Sequence, residues 1–378
     1  MFARKVALVL VAGMALWAVR GRAEEQGGAP AEGLRILLKE EAVCDIDAGM
    51  MRGSLVASAD LRHVAYVARP AGQKTCFVAL DGAQGKAYDG VSMLTFSGDS
   101  KRLAYVAKSG ERYFAVVDGA EGPQYDDIAQ VVFSPDSKRV AYRARVRNED
   151  NWAAVVDGAE GRHYSAVGRL VFSPDSARLA YSAWSQYGEE KGGTLVVDGV
   201  AEKIYDGLVS DAVFSPDSKR LAYGVKPTDG TWQAVVADGV EGKHYERLAA
   251  GVFGGALGAE RLLLFSSDGT RLAYVAMTGG KWVVVVDGAE GKQYDEILAE
   301  SLVFSPDSKR AAYFASEAGE GRGLRQYLAV VDGAEGGKCV RVFAKSLVFS
   351  ADSKRVAYCV DQLGQTMMFG GGGGHGGD

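Results

Sequence analysis

Aspartates recur in this 378-residue chain at two fixed spacings, and repeated carboxylates are what a divalent cation would need. The first set is Asp60, Asp99, Asp136, Asp175, Asp217, Asp268, Asp307 and Asp352, each six residues before a tyrosine. The second is Asp81, Asp118, Asp157, Asp198, Asp238, Asp287 and Asp332, each followed by Gly. Seven residues after each stands Tyr88, Tyr125, Tyr164, Tyr205, Tyr245 or Tyr294, and in the last copy Cys339. Ligands for one ion would have to come from different copies. Asp beside Pro, Ser or Gly is ordinary turn chemistry, so the aspartates read as structural caps and no metal is expected.

Catalytic constellations are equally thin. No G-x-S-x-G elbow occurs, and no stretch remains outside the repeats to build a hydrolase domain. Of the four histidines, His63, His163 and His244 take repeat positions held elsewhere by other residues, and His375 lies among glycines. No H-x-x-x-H or C-x-x-C spacing supports zinc, and no phosphate-binding glycine loop opens a helix. No cofactor is expected.

Two polar groups stand out against the repeats. Gln130, Arg169, Asp211, Arg261, Glu300 and Lys345 lie six or seven residues before a first-set Asp, and their type changes from copy to copy. They read either as a polar pocket or as a solvated, mutually paired charge ring. The second group is Arg143, Arg145 and Arg147, with Trp184 and Tyr187 one copy later. Arginines and aromatics suit a binding surface, although Trp184 could equally cover a sheet edge. An enzyme of polysaccharide lyase or hydrolase type would need a cation to neutralise a carboxylate and a base nearby. Arg169, Asp211 and Lys345 supply those types from three separate copies.

What positions these residues is a ten-residue phrase, FSPDSKRAAY at Phe304–Tyr313. It returns at Phe96–Tyr105, Phe133–Tyr142, Phe172–Tyr181, Phe214–Tyr223, Phe265–Tyr274 and Phe349–Tyr358, and more weakly at Ala57–Tyr66. A repeat of about 40 residues is the length of a propeller blade. Each copy reads as four strands, A to D. In the sixth these are Leu262–Phe265, Arg271–Ala276, Lys281–Val286 and Lys292–Ile297. The apolar run before each Ser-Pro-Asp predicts an A strand buried on both faces. The short polar D strand is expected at the outer edge.

Antiparallel order puts the A–B and C–D turns at one end of each sheet, where spacing is fixed. The B–C turns and the links to the next A strand fall at the other end, where lengths vary. Length variation at one end marks the face on which specificity can be built. The expectation is an all-β fold, a β-propeller of eight blades of four antiparallel strands; seven is the alternative, because Ala57 replaces Phe in the first copy.

The FSPDSKRLAY phrase resembles the WD40-like repeat of exported bacterial propellers, the type found in the TolB family, over about residues 54–360. The resemblance implies an exported module for protein–protein contact. This chain shows no separate N-terminal α/β domain and more repeats than the six blades of TolB, so no TolB partner is carried over.

The termini complete the expectation. Arg4 and Lys5 precede an apolar run, Val6 to Val19, and small residues follow near Ala23, as in a signal peptide over 1–23. A linker over 24–33, a single propeller domain over 34–369 and a disordered glycine tail over 370–378 follow. Cleavage would remove four basic residues and no acidic ones, taking the net charge from −5 to −9. An acidic protein repels phosphate backbones, so nucleic acid is a poor partner. The expected partner is an envelope or extracellular protein, or a glycan. The expected state is a periplasmic or extracellular monomer with no membrane span after cleavage. Cys44, Cys76, Cys339 and Cys359 fall only in the first and last elements. Cys44 could bridge to Cys76 or Cys359, or the four could replace apolar and aromatic residues.

Overall fold

The structure is a computed structural model. It describes residues 49–146, 151–186, 191–227, 230–249, 263–317, 325–362 and 365–372. The signal segment, the linker and Cys44 lie outside the described residues, as do Arg147, Tyr187 and Arg261. Two compact units divide the chain, residues 1–124 and 125–378.

The first unit carries two four-stranded antiparallel sheets in sequence order. Sheet 1 is Val56–Ala57, Val64–Ala68, Cys76–Leu80 and Ala83–Tyr88; sheet 2 is Gly90–Phe96, Leu103–Ser109, Arg112–Val117 and Ala120–Glu121. The second unit carries six. Sheet 3 is Asp127–Phe133, Val140–Arg145, Trp152–Val156 and Ala159–Glu160. Sheets 4, 5 and 6 have their B strands at Leu179–Ser185, Leu221–Lys226 and Leu272–Thr278, each with an A strand in two pieces. Sheet 7 is Glu296–Phe304, Ala311–Glu317, Gln326–Val331 and Ala334–Glu335. Sheet 8 has a split A strand, then Arg355–Gln362 and Gln365–Gly372. Successive blades of this kind make the fold an all-β propeller type.

The Ser-x-Asp-Ser turn is built by its own side chains. Ser134 Oγ donates to Asp136 Oδ1 at 2.6 Å, and the Asp carboxylate accepts the Lys138 N–H at 3.1 Å. The second serine, Ser137, has a positive φ of 66°. That serine position also reaches between sheets: the Asp136 N–H donates to Ser176 Oγ at 2.8 Å, and Asp175 N–H to Ser218 Oγ at 2.9 Å. In sheet 6 a glycine replaces it. A Cβ on Gly269, at φ +77°, would lie 2.4 Å from Asp217 Oδ1. The C–D turns hold Asp and Gly both at positive φ, for example Asp157 at 52° and Gly158 at 83°, the two-residue turn whose twist suits a hairpin.

Inter-sheet packing is apolar. Between sheets 4 and 5 a core gathers Leu195, Tyr205, Phe214 and Tyr223; between sheets 6 and 7, Tyr294, Ile297, Leu302 and Tyr313. The motif arginine covers its rim. Arg271 Nε reaches Asp287 at 2.8 Å, its Nη1 donates to Lys309 O at 2.7 Å, and its guanidinium lies over the Phe304 ring at 5.5 Å. The same residue therefore ties a hairpin to the next sheet.

Three expectations are corrected. The B strands are more buried than the A strands; Val64–Ala68 is wholly buried, whereas Asp127–Phe133 is mostly half-buried. The A strand has a ladder neighbour on one side only, and its apolar run is half-buried rather than buried on both faces. The D strand of sheet 6 is Ala289–Glu290 plus a bridge from Tyr294 to Trp282, and Ile297 belongs to the next A strand. Gly291 N–H still bonds Val284 O in register, and the pairing slips by one residue between there and the Tyr294–Trp282 bridge. Finally, the last strand runs through Gly372, so Gly370–Gly372 are paired rather than part of a loose tail.

In the A–B turns, Asp60, Asp136, Asp175, Asp217, Asp268, Asp307 and Asp352 are held below their ordinary range chiefly by the serine hydroxyl; for Asp268 the value falls to about 2. A folded-state pKa below the unfolded one stabilises the fold above about 3.9 and loses that contribution as pH falls towards the folded value. A carboxyl-carbon titration is expected to show Asp268 with a midpoint near 2. Ser266→Ala is expected to raise it, and an unchanged midpoint would contradict the hydroxyl's role.

Candidate binding site

Every described A strand is interrupted at one level. In sheet 3 the register shifts beside Tyr142 and Arg143, and Gln130 is extruded at φ 52°. In sheet 4 the strand breaks between Val167 and Val171; in sheet 5, between Leu208 and Val213. Sheet 7 shifts register between Leu298 and Val303, and sheet 8 inserts a short 3-10 turn, Ala344–Ser346. Gln130, Arg169, Asp211, Glu300 and Lys345 occupy these breaks. They stand inside the A strand, not at its start as their spacing implied, because pairing begins upstream at residues such as Asp127 and Glu296.

Sheets 3 and 4 join part of this set. Gln130 clasps the Leu170 main chain: its Nε2 donates to Leu170 O and its Oε1 accepts the Leu170 N–H, both at 2.9 Å. Arg143 Nη1 donates to Val167 O at 2.8 Å. Gly168 sits between these anchors, and its N–H donates to Ser182 O at 2.7 Å. A Cβ there would come within 1.9 Å of Ser182 Oγ, so a side chain at this place would require the Ser182 hydroxyl to turn away. The result is a fixed bulge presenting exposed Arg169.

Arg143 and Arg145 share one face of their strand, being two residues apart. Both Nε atoms are buried without a hydrogen-bond partner among the described residues. Burial lowers the pKa of Arg143 while the charge of Asp211 opposes that shift. Asp211 is pushed above the ordinary carboxylate range by burial, with Arg169 and Arg143 pulling the other way. Arg143, Arg169 and Asp211 are thus electrostatically coupled.

Glu300 and Lys345 are exposed, and no hydrogen bond or ion pair joins them to this cluster among the described residues. Trp184 is half-buried and pairs with Ala166 and Gly193 across its sheet. Each described histidine has a carboxylate neighbour. His63 Nδ1 is 2.7 Å from Asp81, taking the motif arginine's place, and its pKa is raised by that bond. His163 meets Glu160, and His244 meets Glu241 while stacking on Trp232 at 3.2 Å. Among the described residues no group of three or more His, Cys, Asp or Glu is arranged to hold a metal. Cys76, Cys339 and Cys359 are free thiols; Cys339 donates to Tyr327 O, and burial raises its pKa.

Sequence reasoning missed a second set of inter-sheet ties. Lys292 Nζ and Tyr294 Oη both donate to Glu335 of the next sheet, at 2.6 and 2.8 Å. Lys86 and Tyr88 meet Glu121 in the same way, and Lys203 and Tyr205 meet Glu241. The signal was present: the Glu three residues after the C–D Asp recurs, but its partner lies about 40 residues upstream.

Among the described residues, no helix is long and apolar enough to cross a membrane. No family model matches the chain, and no curated protein matches it. Solved structures do. A eukaryotic initiation factor is similar at 11% identity, covering 77% of this chain and 78% of that one, with a TM-score of 0.43. The β-propeller domain of the Trilobed protease from Pyrococcus furiosus is similar at 15% identity, covering 72% and 91%, with a TM-score of 0.34. TolB from Acinetobacter baumannii is similar at 18% identity, covering 59% and 60%, with a TM-score of 0.29.

Proposed function

We propose that this chain is an exported, non-catalytic binding module that takes hold of another envelope or extracellular protein through the variable end of its sheets. One observation carries the reading. The repeated Ser, Asp, Arg, Lys, Tyr and Glu residues are consumed in tying turns and sheets together, whereas the strand breaks and B–C turns differ from sheet to sheet. A scaffold that spends its repeated polar residues internally leaves its variable ones for recognition. Arg143, Arg145 and Arg169 are the residues through which it would act, with Gln130 bracing the loop that carries Arg169.

Capture from an envelope extract tests this. The triple variant Trp184→Ala, Tyr187→Ala, Arg145→Glu is expected to lose partners that the unaltered protein retains. Lys219→Glu, at an exposed turn of the fixed end, is expected to keep them. The reverse pattern would put binding on the opposite end.

A second reading is favoured by the raised pKa of Asp211 beside Arg169, a pairing that an enzyme acting on acidic polysaccharides would use as base and neutralising cation. Turnover of such a polymer, abolished by Arg169→Ala, would establish it.

A further inference from the structure

We infer that the face of sheet 3 turned towards sheet 4, together with the Arg169 bulge, is a carboxylate-binding site that receives an acidic side chain from an extended peptide segment of the partner. This deepens the proposed binding role and rests on it. The first support is a deficit. Nε of Arg143 and Nε of Arg145 are buried donors with no acceptor among the described residues. Buried donors are nearly always satisfied, and an orphaned pair on one strand face calls for an absent acceptor. In the other described sheets the second of these places holds a cation three times, at Arg69, Lys108 and Lys226, but the first never does, so a pair of cations at these two places belongs to sheet 3.

The second support is preorganisation. Gln130 holds both main-chain groups of Leu170, Arg143 holds Val167 O, and Gly168 permits the close approach to Ser182. Arg169 is carried on that braced loop with its guanidinium exposed, and neither its side chain nor its own N–H and C=O makes a hydrogen bond among the described residues. A bulge secured at both ends costs little to order when a ligand arrives.

Chemistry then selects the ligand. A guanidinium presents parallel N–H donors matched to the two oxygens of a carboxylate. Two arginines, Arg143 and Arg169, against the one coupled carboxylate of Asp211 leave a positive excess, while Arg145 stands across the ladder from Asp127. The free N–H and C=O of Arg169 match what an extended peptide backbone offers in return, which favours a polypeptide over a sugar chain as the bearer of the carboxylate.

The test uses the full chain and immobilised ten-residue peptides that are neutral except for one central Glu, each with a Gln counterpart. Binding to Glu peptides at least tenfold tighter than to the Gln counterparts is expected. Arg169→Gln should abolish that preference, and Arg169→Lys should restore it in part, because charge returns without the fork. Asp211→Asn should strengthen binding by removing the competing carboxylate. Arg169 is exposed, so an unchanged melting curve shows that its variants remain folded. Equal affinity for Glu and Gln peptides, or a preference that survives Arg169→Gln, would overturn the site. So would binding of oligogalacturonate without binding of any Glu peptide. Continued partner capture by Arg169→Gln would overturn this site while leaving the broader binding role standing.

Discussion

Phe314→Ala is expected to lower the unfolding free energy by about 3–5 kcal/mol, the range for emptying a fully buried aromatic site. Phe314 is 0% exposed and packs among Ala312, Ala329, Leu347 and Val356, with Tyr358 edge-on at 5.6 Å. It follows the motif tyrosine, the position that holds Arg143 in sheet 3 and Val275 in sheet 6. The neighbouring alanines are small and cannot grow into the void, so collapse around it will be limited. Denaturant unfolding of the variant measures the loss. A change below about 1 kcal/mol would mean that sheets 7 and 8 do not pack as described, since even removing one buried methyl group often costs that much.

That comparison shows what the sequence made legible. The turns and strands were readable because Ser-Pro-Asp-Ser and Asp-Gly are local instructions, each acting within a few residues. The B and C strands follow, because fixed turns set their register. The A-strand breaks were not readable. Gln130, Arg169, Asp211, Glu300 and Lys345 share a spacing, and spacing alone placed them at a strand start; only pairing with the B strand shows ladder on both sides of the break. The cluster of Arg143, Arg169 and Asp211 was hidden for a related reason. Its members were separately visible as polar departures from the repeat, but their coupling depends on how three successive sheets pack. The ties from Lys292 and Tyr294 to Glu335 span the same kind of distance. What repeats within a hairpin announces itself, and what repeats between hairpins does not.

Arg310→Ala is expected to cost about 2 kcal/mol, and Arg310→Lys is expected to recover less than half of it. Arg310 Nε meets Asp332 at 2.6 Å, its Nη1 donates to Ser353 O at 3.1 Å and Lys354 O at 3.3 Å, and its guanidinium covers the Phe349 ring at 5.4 Å. The ion pair is about one-third exposed on the Arg side and more on the Asp side, so solvent reduces its share to roughly 0.5 kcal/mol. Hydrogen bonds to main-chain carbonyls add about 1 kcal/mol. The ring contact adds about 0.5 kcal/mol more. Lysine can keep the ion pair, but its single ammonium cannot serve Asp332, two carbonyls and a ring at once. Equilibrium unfolding of the single variants, with Asp332→Ala and the double variant to complete a cycle, separates these parts. A coupling near the whole 2 kcal/mol would mean that the hairpin ion pair carries the effect. A small coupling beside a large Arg310→Ala cost would place it in the carbonyl and ring contacts with sheet 8, which is the outcome this geometry favours.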